Sequence, residues 1–460
     1  MSSPTIQPSS FRDPAGFVFS EGGFLFRQIN QTYQKDYECL MESGLYDELV
    51  DGGLLIPHCE LIDRAAPREK QAYKIIQPEK IPFISYPYEW CFSQLKSAAL
   101  LTLDVQRKAM ARGMSLKDCS AFNIQFKGYQ PVLIDTLSFT HYRKGTYWQA
   151  YRQFCQHFLA PLALMSMVDV RLNNLSQTFL DGIPLDLASR LLPTRSHFNL
   201  SLLMHIHLHA GFQKKYQVNQ KGKVKAAVTQ NGMLGIIDNL YACISALNCK
   251  PQDTHWANYY ARTNYSSPSM EDKRRKVSSY LELAAPITVW DVGCNRGDFS
   301  QIASAKGANV ISFDSDHASI EMNYMNGVKT KASKLLPLII DISNPTPAVG
   351  WNGEERQAFV QRGPADVIMA LAVLHHLVIA GGIPLRKIAE LFAEQCTFLI
   401  VEFIPKSDTY VKDMLQNRED IFFEYTHLGF LNAFEKYFRV IKEDKLRETE
   451  RTVFLMKSRR

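Results

Sequence analysis

The sequence predicts a two-domain α/β protein, with an α+β domain over residues 1–250 and a doubly wound, mostly parallel α/β domain over residues 251–460. The chain has 460 residues, whereas a typical domain has roughly 100 to 200. Turn-forming residues are dense between Asn248 and Met270, which is typical of a linker. After that segment, apolar runs alternate with amphipathic segments, a pattern that predicts parallel strands joined by helices.

The first domain is predicted to begin with a small sheet and to become mainly helical. A strand pair is expected over Phe17 to Asn30, and a helical stretch follows near Tyr33 to Val50. A long helix is expected over Phe92 to Gly113. These elements predict an α+β arrangement.

The second domain is predicted to contain seven strands. Five apolar runs of strand length are expected to form the parallel part of the sheet: Ile287 to Val292, Asn309 to Phe313, Leu335 to Ile340, Asp366 to Ala370 and Phe398 to Phe403. Two more strands, about a hairpin's distance apart, are expected at Phe438 to Ile441 and Arg451 to Met456.

Composition excludes several classes of protein. With 46% hydrophobic and 21% charged residues, the chain is globular rather than disordered or collagenous. Its nine cysteines form no CxxC pair, which indicates reduced thiols rather than disulfides or zinc. A net charge of +6 permits nucleic-acid binding without indicating it. The run Asp272 to Lys276 could contact phosphates, but it is expected to be a solvated helix face. The apolar stretch Phe158 to Val168 is shorter than the roughly 20 residues that span a bilayer. Since the N-terminus also lacks the features of a secretory signal, we expect a cytoplasmic protein without membrane attachment.

The strongest motif lies at the end of the first strand of the second domain. The strand ends in Asp291-Val-Gly293-Cys-Asn295-Arg-Gly297 and runs into a helix. Glycine is needed where the backbone turns sharply and approaches a ligand closely at the carboxyl end of a strand. The second strand then ends at Asp314, a position that hydrogen-bonds ribose hydroxyls in doubly wound nucleotide sites.

Two further strand ends complete the pattern. The third strand is followed by Asp341-Ile342, and the fourth by Leu-His375-His376-Leu. In this order the motifs resemble class I S-adenosylmethionine-dependent methyltransferases, over roughly Thr254 to Arg460. The resemblance implies a Rossmann-like, seven-stranded methyltransferase domain with S-adenosyl-L-methionine as its cofactor. A dehydrogenase is disfavoured because the NAD fingerprint Gly-x-Gly-x-x-Gly is absent.

The resemblance also assigns residues to the cofactor. Gly293 and Gly297 would pass under its methionine and ribose parts, and Asp291 would orient the loop or accept from its ammonium group. Asp314 would bind the ribose hydroxyls. Asp341 would accept from the adenine amino group while Ile342 packs on the ring.

These assignments have structural alternatives. Asp316 and Asp341 could instead be helix N-caps. Asn295 stands where the family has its middle glycine, and asparagine tolerates the left-handed backbone that this position requires.

Three side chains could take a proton from the acceptor. His375, His376 and Glu402 follow the fourth and fifth strands, at the sheet edge where ligands bind. Histidine titrates near neutrality and can act as a base there. Methyl transfer depends mainly on alignment and exclusion of water, so a catalytic base is optional. No metal is predicted in this domain.

The first domain carries a second motif. Asp118 and Asn123 stand five residues apart, and Asp135 follows a short hairpin. This arrangement resembles protein kinases and aminoglycoside phosphotransferases, in which the first Asp orients the acceptor hydroxyl while the Asn and the later Asp hold magnesium. The resemblance implies an ATP and magnesium site, with Arg27 or Lys74 as the basic residue of the sheet. The motif departs from the kinase pattern because no glycine-rich loop precedes it. The alternative is a helical platform that binds substrate, with Asp118 capping and Asn123 in a turn.

Three functional hypotheses follow. The whole arrangement resembles bacterial nodulation-type methyltransferases, which implies methylation of a small molecule or a glycan. RNA methylation would instead require a continuous basic surface bearing aromatic side chains. A non-catalytic scaffold that binds cofactor or nucleotide, with an inactive kinase-like half, is the third hypothesis, and Asn295 keeps it open. The sequence defines neither the acceptor atom nor the oligomeric state.

Overall fold

The computed structural model describes residues 3–62, 64–209, 228–249, 267–416 and 419–460. The chain forms two compact units. The first comprises Met1–Lys250 together with Ala348–Arg356, and the second comprises Pro251–Pro347 and Gln357–Arg460. Most of the predicted linker lies outside the described residues. No helix in the described ranges has the length and apolar character needed to cross a bilayer.

The first unit opens with an antiparallel sheet of five strands in the order β1-β2-β3-β5-β4, which confirms the strand pair expected over Phe17 to Asn30. Alternate side chains fill the two faces: Phe17, Phe19 and Phe26 share one cluster, and Ile29 packs in another with Tyr33. The strands are β1 (Thr5–Ile6), β2 (Gly16–Glu21), β3 (Phe24–Asn30), β4 (His58–Leu61) and β5 (Ala72–Pro78).

The helical stretch predicted near Tyr33 to Val50 is two helices, α1 (Gln34–Glu42) and α2 (Leu45–Asp51). The chain breaks at Gly44, whose φ of 71° is left-handed. Such a conformation cannot continue a right-handed helix, and glycine adopts it without steric cost. The helical stretch is therefore confirmed, and it is divided in two at this glycine.

The long helix α3 (Phe92–Ala111) is confirmed. After it, β6 pairs with β9, and β7 and β8 form a hairpin. The unit is α+β, and it has the element order that the kinase resemblance implies: sheet, long helix, motif loop, hairpin, acid and further helices. These elements are β6 (Met114–Leu116), β7 (Ile124–Lys127), β8 (Gln130–Leu133), β9 (Phe139–His141), α4 (Tyr151–Phe154), α5 (Ala160–Met167), α6 (Leu175–Thr178), α7 (Leu185–Leu191), α8 (Leu200–Leu202) and α9 (Gln230–Ala246), with π-helical turns at Cys155–Leu159 and Leu203–Leu208.

The segment Ala348–Arg356 is part of the first unit although its neighbours in sequence belong to the second. Glu355 is 5% exposed and forms an ion pair with Arg12 at 2.5 Å. The guanidinium of Arg356 lies 4.3 Å from the ring centroid of Phe122, and burial lowers the pKa of Arg356. Phe122 lies between Asp118 and Asn123, so this segment packs against the motif loop.

The second unit is built on a seven-stranded sheet in the order β12-β11-β10-β13-β14-β16-β15. The first five of these strands are parallel, and β16 is antiparallel to both of its neighbours. The strands are β10 (Thr288–Val292), β11 (Asn309–Asp314), β12 (Leu335–Ile339), β13 (Ala365–Ala370), β14 (Cys396–Phe403), β15 (Phe438–Lys445) and β16 (Thr452–Ser458). All seven strands predicted for this domain are confirmed.

Helices cover the sheet and close its core. The helix before the sheet, α10, buries Val277, Tyr280 and Leu281 against the apolar side chains of the strands. The helices are α10 (Ser267–Ala284), α11 (Asp298–Ala305), α12 (His317–Thr330), α13 (Leu385–Gln395), α14 (Thr409–Leu415) and α15 (His427–Phe434). Strand order reverses between β10 and β13, which is where doubly wound sheets bind their ligands.

Candidate functional site

A cavity of about 410 Å³ opens at the carboxyl edge of the sheet, beside the strand ends of β10, β11 and β12. Its volume lies in the range of small-molecule sites, roughly 300 to 1,000 Å³. The structure brings seven of the residues singled out in the sequence to its wall: Asp291, Gly293, Asn295, Asp314, Asp341, Ile342 and His376. Gly297, His375 and Glu402 are not among the lining residues.

The loop after β10 has the tight backbone that the motif requires. Gly293 has a φ of 66°, and a Cβ there would lie 2.3 Å from Cγ2 of Val373. Gly297 precedes α11 with a φ of 81°, and a Cβ would meet the amide of Asn323 at 2.5 Å. Gly297 therefore permits close packing behind the loop, whereas Gly293 lies on the cavity wall.

Asn295 adopts the left-handed conformation expected of it, with a φ of 50°. Its backbone N–H donates to Oδ2 of Asp314 at 2.9 Å. The acid at the end of β11 therefore holds the loop after β10, and the loop closes without the family's middle glycine.

Two carboxyls, the buried Asp291 and the partly buried Asp314, define the electrostatics of the cavity. Asp291 is 2% exposed and accepts a 2.5 Å hydrogen bond from the Ser300 hydroxyl. Burial raises its pKa to about 7. Asp314 also accepts from the backbone N–H of Asp316 at 3.0 Å, and burial raises its pKa to about 6. Carboxylates with raised pKa values favour a ligand that donates hydrogen bonds or carries positive charge.

Asp341 and Ile342 line the cavity at the end of β12. Asp341 accepts from the backbone N–H of Ser343 at 2.8 Å and from its hydroxyl at 2.6 Å, so it closes a turn rather than capping a helix. The capping alternative holds for Asp316, which accepts from Ser319 N at 2.7 Å at the start of α12.

The two histidines differ in access. His376 lines the cavity, whereas His375 is 1% exposed and lies behind it, with the ring centroids 4.0 Å apart. Burial lowers the pKa of His376 to about 4 and that of His375 well below its ordinary value. Both imidazoles are therefore neutral at physiological pH, and His376 is the one that a ligand can reach.

Glu402 is fully buried, and its carboxylate accepts from Nζ of Lys273 at 2.7 Å. Lys273 is itself 2% exposed and lines the cavity. The expectation that Asp272 to Lys276 is a solvated face is therefore wrong for Lys273, and also for Asp272, which is 5% exposed. The apolar positions Met270, Val277 and Tyr280 follow helical spacing that includes residue 273, and this spacing was the available signal.

The three polar residues predicted in the first unit lie together. The Asn123 side chain is near enough to Asp118 to favour its ionised form, and its amide donates to the Ser138 hydroxyl at 3.3 Å. Ser138 donates in turn to Asp135 at 2.6 Å, and Arg27 forms an ion pair with Asp135 at 2.5 Å.

Of the two basic residues of the sheet, Arg27 pairs with Asp135 of the motif, whereas Lys74 pairs with Glu60. Burial and the nearby Asp135 raise the pKa of Asp118. For Asp135, burial opposes ionisation, but Arg27 and the hydrogen bonds outweigh it and lower the pKa.

Comparison with known proteins agrees with this geometry. Residues 262–437 match a family model described as a methyltransferase domain. The strand order, the cavity at the switch point and this match define a S-adenosylmethionine-dependent methyltransferase. The chain is also 34% identical over 456 residues to the nodulation protein NoeA of Rhizobium meliloti (strain 1021), which covers 97% of this chain and 94% of that protein. The chain belongs to the NoeA family.

Three solved structures are similar to part of the chain. WbdD matches with 17% identity and a TM-score of 0.32, over 45% of this chain and 43% of that one, less than half its length. The N-methyltransferase NodS from Bradyrhizobium japonicum WM9 matches with 11% identity and a TM-score of 0.32, over 42% of this chain and 98% of NodS. Magnesium protoporphyrin IX methyltransferase from Synechocystis PCC 6803, with bound SAH, matches with 14% identity and a TM-score of 0.32, over 44% and 92%.

Proposed function

We propose that this methyltransferase modifies a small molecule or a glycan, whose acceptor group enters the cavity beside His376. The observation that supports the proposal is the composition of the cavity wall beside His376. The part of the wall that follows β13 is formed by small and apolar side chains: Leu371, Ala372, Val373, Leu377, Ala380 and Gly381. Such a wall favours a compact acceptor group and keeps water from the reacting atoms.

The residues fit the cofactor. S-adenosylmethionine supplies an electrophilic methyl group on a sulfonium. Asp314 presents a carboxylate for ribose hydroxyls, Ile342 presents an apolar surface for the adenine ring, and Asp291 presents a second carboxylate for the ammonium group. Together these residues fix the position of the donor, and alignment is the main contribution that a protein makes to such a displacement.

His376 is the proposed contact for the acceptor. Its imidazole is neutral because its pKa is about 4, so it offers a nitrogen that accepts a hydrogen bond from a hydroxyl or an amine. We do not propose Glu402 as a base, because its carboxylate is paired with Lys273 and Glu402 is not among the residues that line the cavity.

Transfer of tritiated methyl groups to defined acceptor pools tests the proposal. We expect label in a pool of oligosaccharides or of small metabolites. The Asp314→Ala variant should bind S-adenosylhomocysteine about 5- to 150-fold more weakly, since it loses two ribose contacts worth roughly 0.5 to 1.5 kcal/mol each. Label that appears in total RNA and disappears after ribonuclease treatment would favour the RNA alternative. Cofactor binding without transfer to any pool would favour the scaffold.

We propose a second function for the first unit, the binding of a magnesium nucleotide. The supporting observation is the continuous set of contacts that joins Asp118, Asn123 and Asp135 to Arg27. The amide nitrogen of Asn123 faces Ser138, so its amide oxygen and the Asp135 carboxylate could hold the metal. The described residues contain no group of three His, Cys, Asp or Glu side chains that could do so, and phosphate oxygens would have to complete the coordination.

Calorimetric titration with ATP and magnesium tests this second function. We expect binding that depends on magnesium and that Asn123→Ala weakens at least tenfold. Asp104→Asn is the matched control, because Asp104 lies on α3 and pairs with Arg107 outside the motif. Equal binding by both variants would contradict the assignment.

A further inference from the structure

Lys273 and Glu402 form an ion pair that neither the motifs nor the proposed catalytic contacts explain. The side chains are 3% and 0% exposed, and Nζ lies 2.7 Å from Oε2. Replacing such a buried pair with apolar residues is often neutral or stabilising. Fold stability alone therefore gives a weak reason for these two charges at this position.

The charge distribution of the cavity gives a stronger reason. The acidic groups on its wall are Asp291, Asp314 and Asp341. Among the described residues that line the cavity, Lys273 is the one lysine or arginine. Lys273 also lies close enough to Asp291 to oppose the rise in the pKa of that carboxyl. One end of the cavity thus presents a carboxylate and an ammonium side by side.

The methionine end of the cofactor carries the complementary pair, an ammonium and a carboxylate on one carbon. We infer that Lys273 binds the α-carboxylate of S-adenosylmethionine and that Glu402 is a positioning residue that holds Lys273 in place. The inference rests on methyl transfer at this cavity. An ammonium has three N–H donors, which allows Lys273 to contact Glu402 and a second carboxylate at once.

The packing around Lys273 agrees with this role. Nζ lies 4.9 Å from the ring centroid of Phe299, and Phe299 also lines the cavity. The aromatic face stabilises the cation, and little water reaches it. A charge-assisted hydrogen bond in such surroundings is stronger than one at the surface.

Three ligands test the assignment on the wild-type protein by calorimetry. S-adenosylhomocysteine has both the ammonium and the carboxylate, decarboxylated S-adenosylhomocysteine keeps the ammonium, and 5′-methylthioadenosine has neither. We expect S-adenosylhomocysteine to bind about 10- to 100-fold more tightly than its decarboxylated analogue. Equal affinities for these two ligands would overturn the assignment of Lys273 but not the proposed function. A protein that binds none of the three has no cofactor site, which would overturn the proposed function as well.

Variants then test which residues cause the tighter binding of the ligand that has the carboxylate. Lys273→Met combined with Glu402→Gln removes both charges, so neither is left buried without its partner. We expect this protein to bind the two homocysteine compounds about equally and to bind 5′-methylthioadenosine like the wild type. Glu402→Gln alone should reduce the preference partly, again without changing 5′-methylthioadenosine binding, which a merely structural role would not reproduce.

Arg274→Met is the matched control, because its side chain is 43% exposed and pairs with Asp298. This variant should keep the full preference. A preference that survives in the Lys273→Met/Glu402→Gln protein would overturn the inference, as would its loss in Arg274→Met.

Discussion

Replacing Asp291 with asparagine separates what the cofactor site contributes to binding from what it costs in stability. Burial raises the pKa of this carboxyl from 3.8 to about 7. The folded protein therefore holds the proton more tightly than the unfolded chain does, and the free energy of unfolding falls as the pH rises from about 4 to about 7. About three pKa units at roughly 1.4 kcal/mol each give about 4 kcal/mol.

About two of these three units lie between pH 5 and pH 8, which corresponds to about 3 kcal/mol. The Asp291→Asn protein lacks this contribution, because an amide does not titrate, and Ser300 can donate to the amide oxygen as it does to the carboxylate. We therefore expect the wild type to lose about 3 kcal/mol more stability than the variant over this pH interval.

Hydrogen exchange of peptides from β10, measured in urea at about pH 5 and about pH 8, reports the second unit separately from the first. Asp298→Asn is the control, since its carboxylate is partly exposed on α11 and should leave the pH dependence of the wild type unchanged. The same pH dependence in wild type and Asp291→Asn would refute the reasoning. The variant should also bind S-adenosylhomocysteine at least tenfold more weakly, because it lacks the carboxylate for the ammonium group.

Three further outcomes follow from the site. Gly293→Ala should abolish cofactor binding and lower stability by about 1–3 kcal/mol, because its Cβ would meet Val373 in a packed core; a thermal shift with S-adenosylhomocysteine equal to that of the wild type would contradict this. Affinity for S-adenosylhomocysteine should fall as the pH drops below about 7, where Asp291 and then Asp314 take up protons and become poorer acceptors for the ammonium and the ribose hydroxyls; calorimetry across pH would show a flat profile if the two carboxylates have no such role. Arg27→Met should destabilise the first unit by about 3–5 kcal/mol, because Asp135 stays buried without its cation; urea unfolding that matches the wild type would count against the ion pair.

Much of the second unit could be predicted from local sequence. Each parallel strand is an apolar run of strand length. Turn residues or a polar residue of the predicted site stand at its carboxyl end. Asp291, Asp314 and Asp341 come together because parallel strands place these ends on one edge of the sheet. Their shared cavity therefore follows from the spacing and from the direction of the strands.

Other features depend on contacts between residues distant in sequence. Lys273 lies in a run of charged residues and is buried because α10 packs that face against the sheet, where Glu402 supplies the opposite charge 129 positions later. The segment Ala348–Arg356 belongs to the first unit through Arg12 and Phe122, although local sequence places it in the second. The ion pairs of Arg27 with Asp135 and of Lys74 with Glu60 likewise depend on which acid lies beside each base in the folded unit.

Local sequence was enough to predict the elements, their order and the motif of the loop after β10, because glycine geometry, apolar periodicity and strand-end acids act over a few neighbouring residues. Which polar groups are accessible and which are paired depends on the folded chain. His376 reaches the cavity and His375 does not, and Glu402 is held by Lys273. Access and pairing depend on desolvation, and desolvation is set by packing partners that lie far away along the chain.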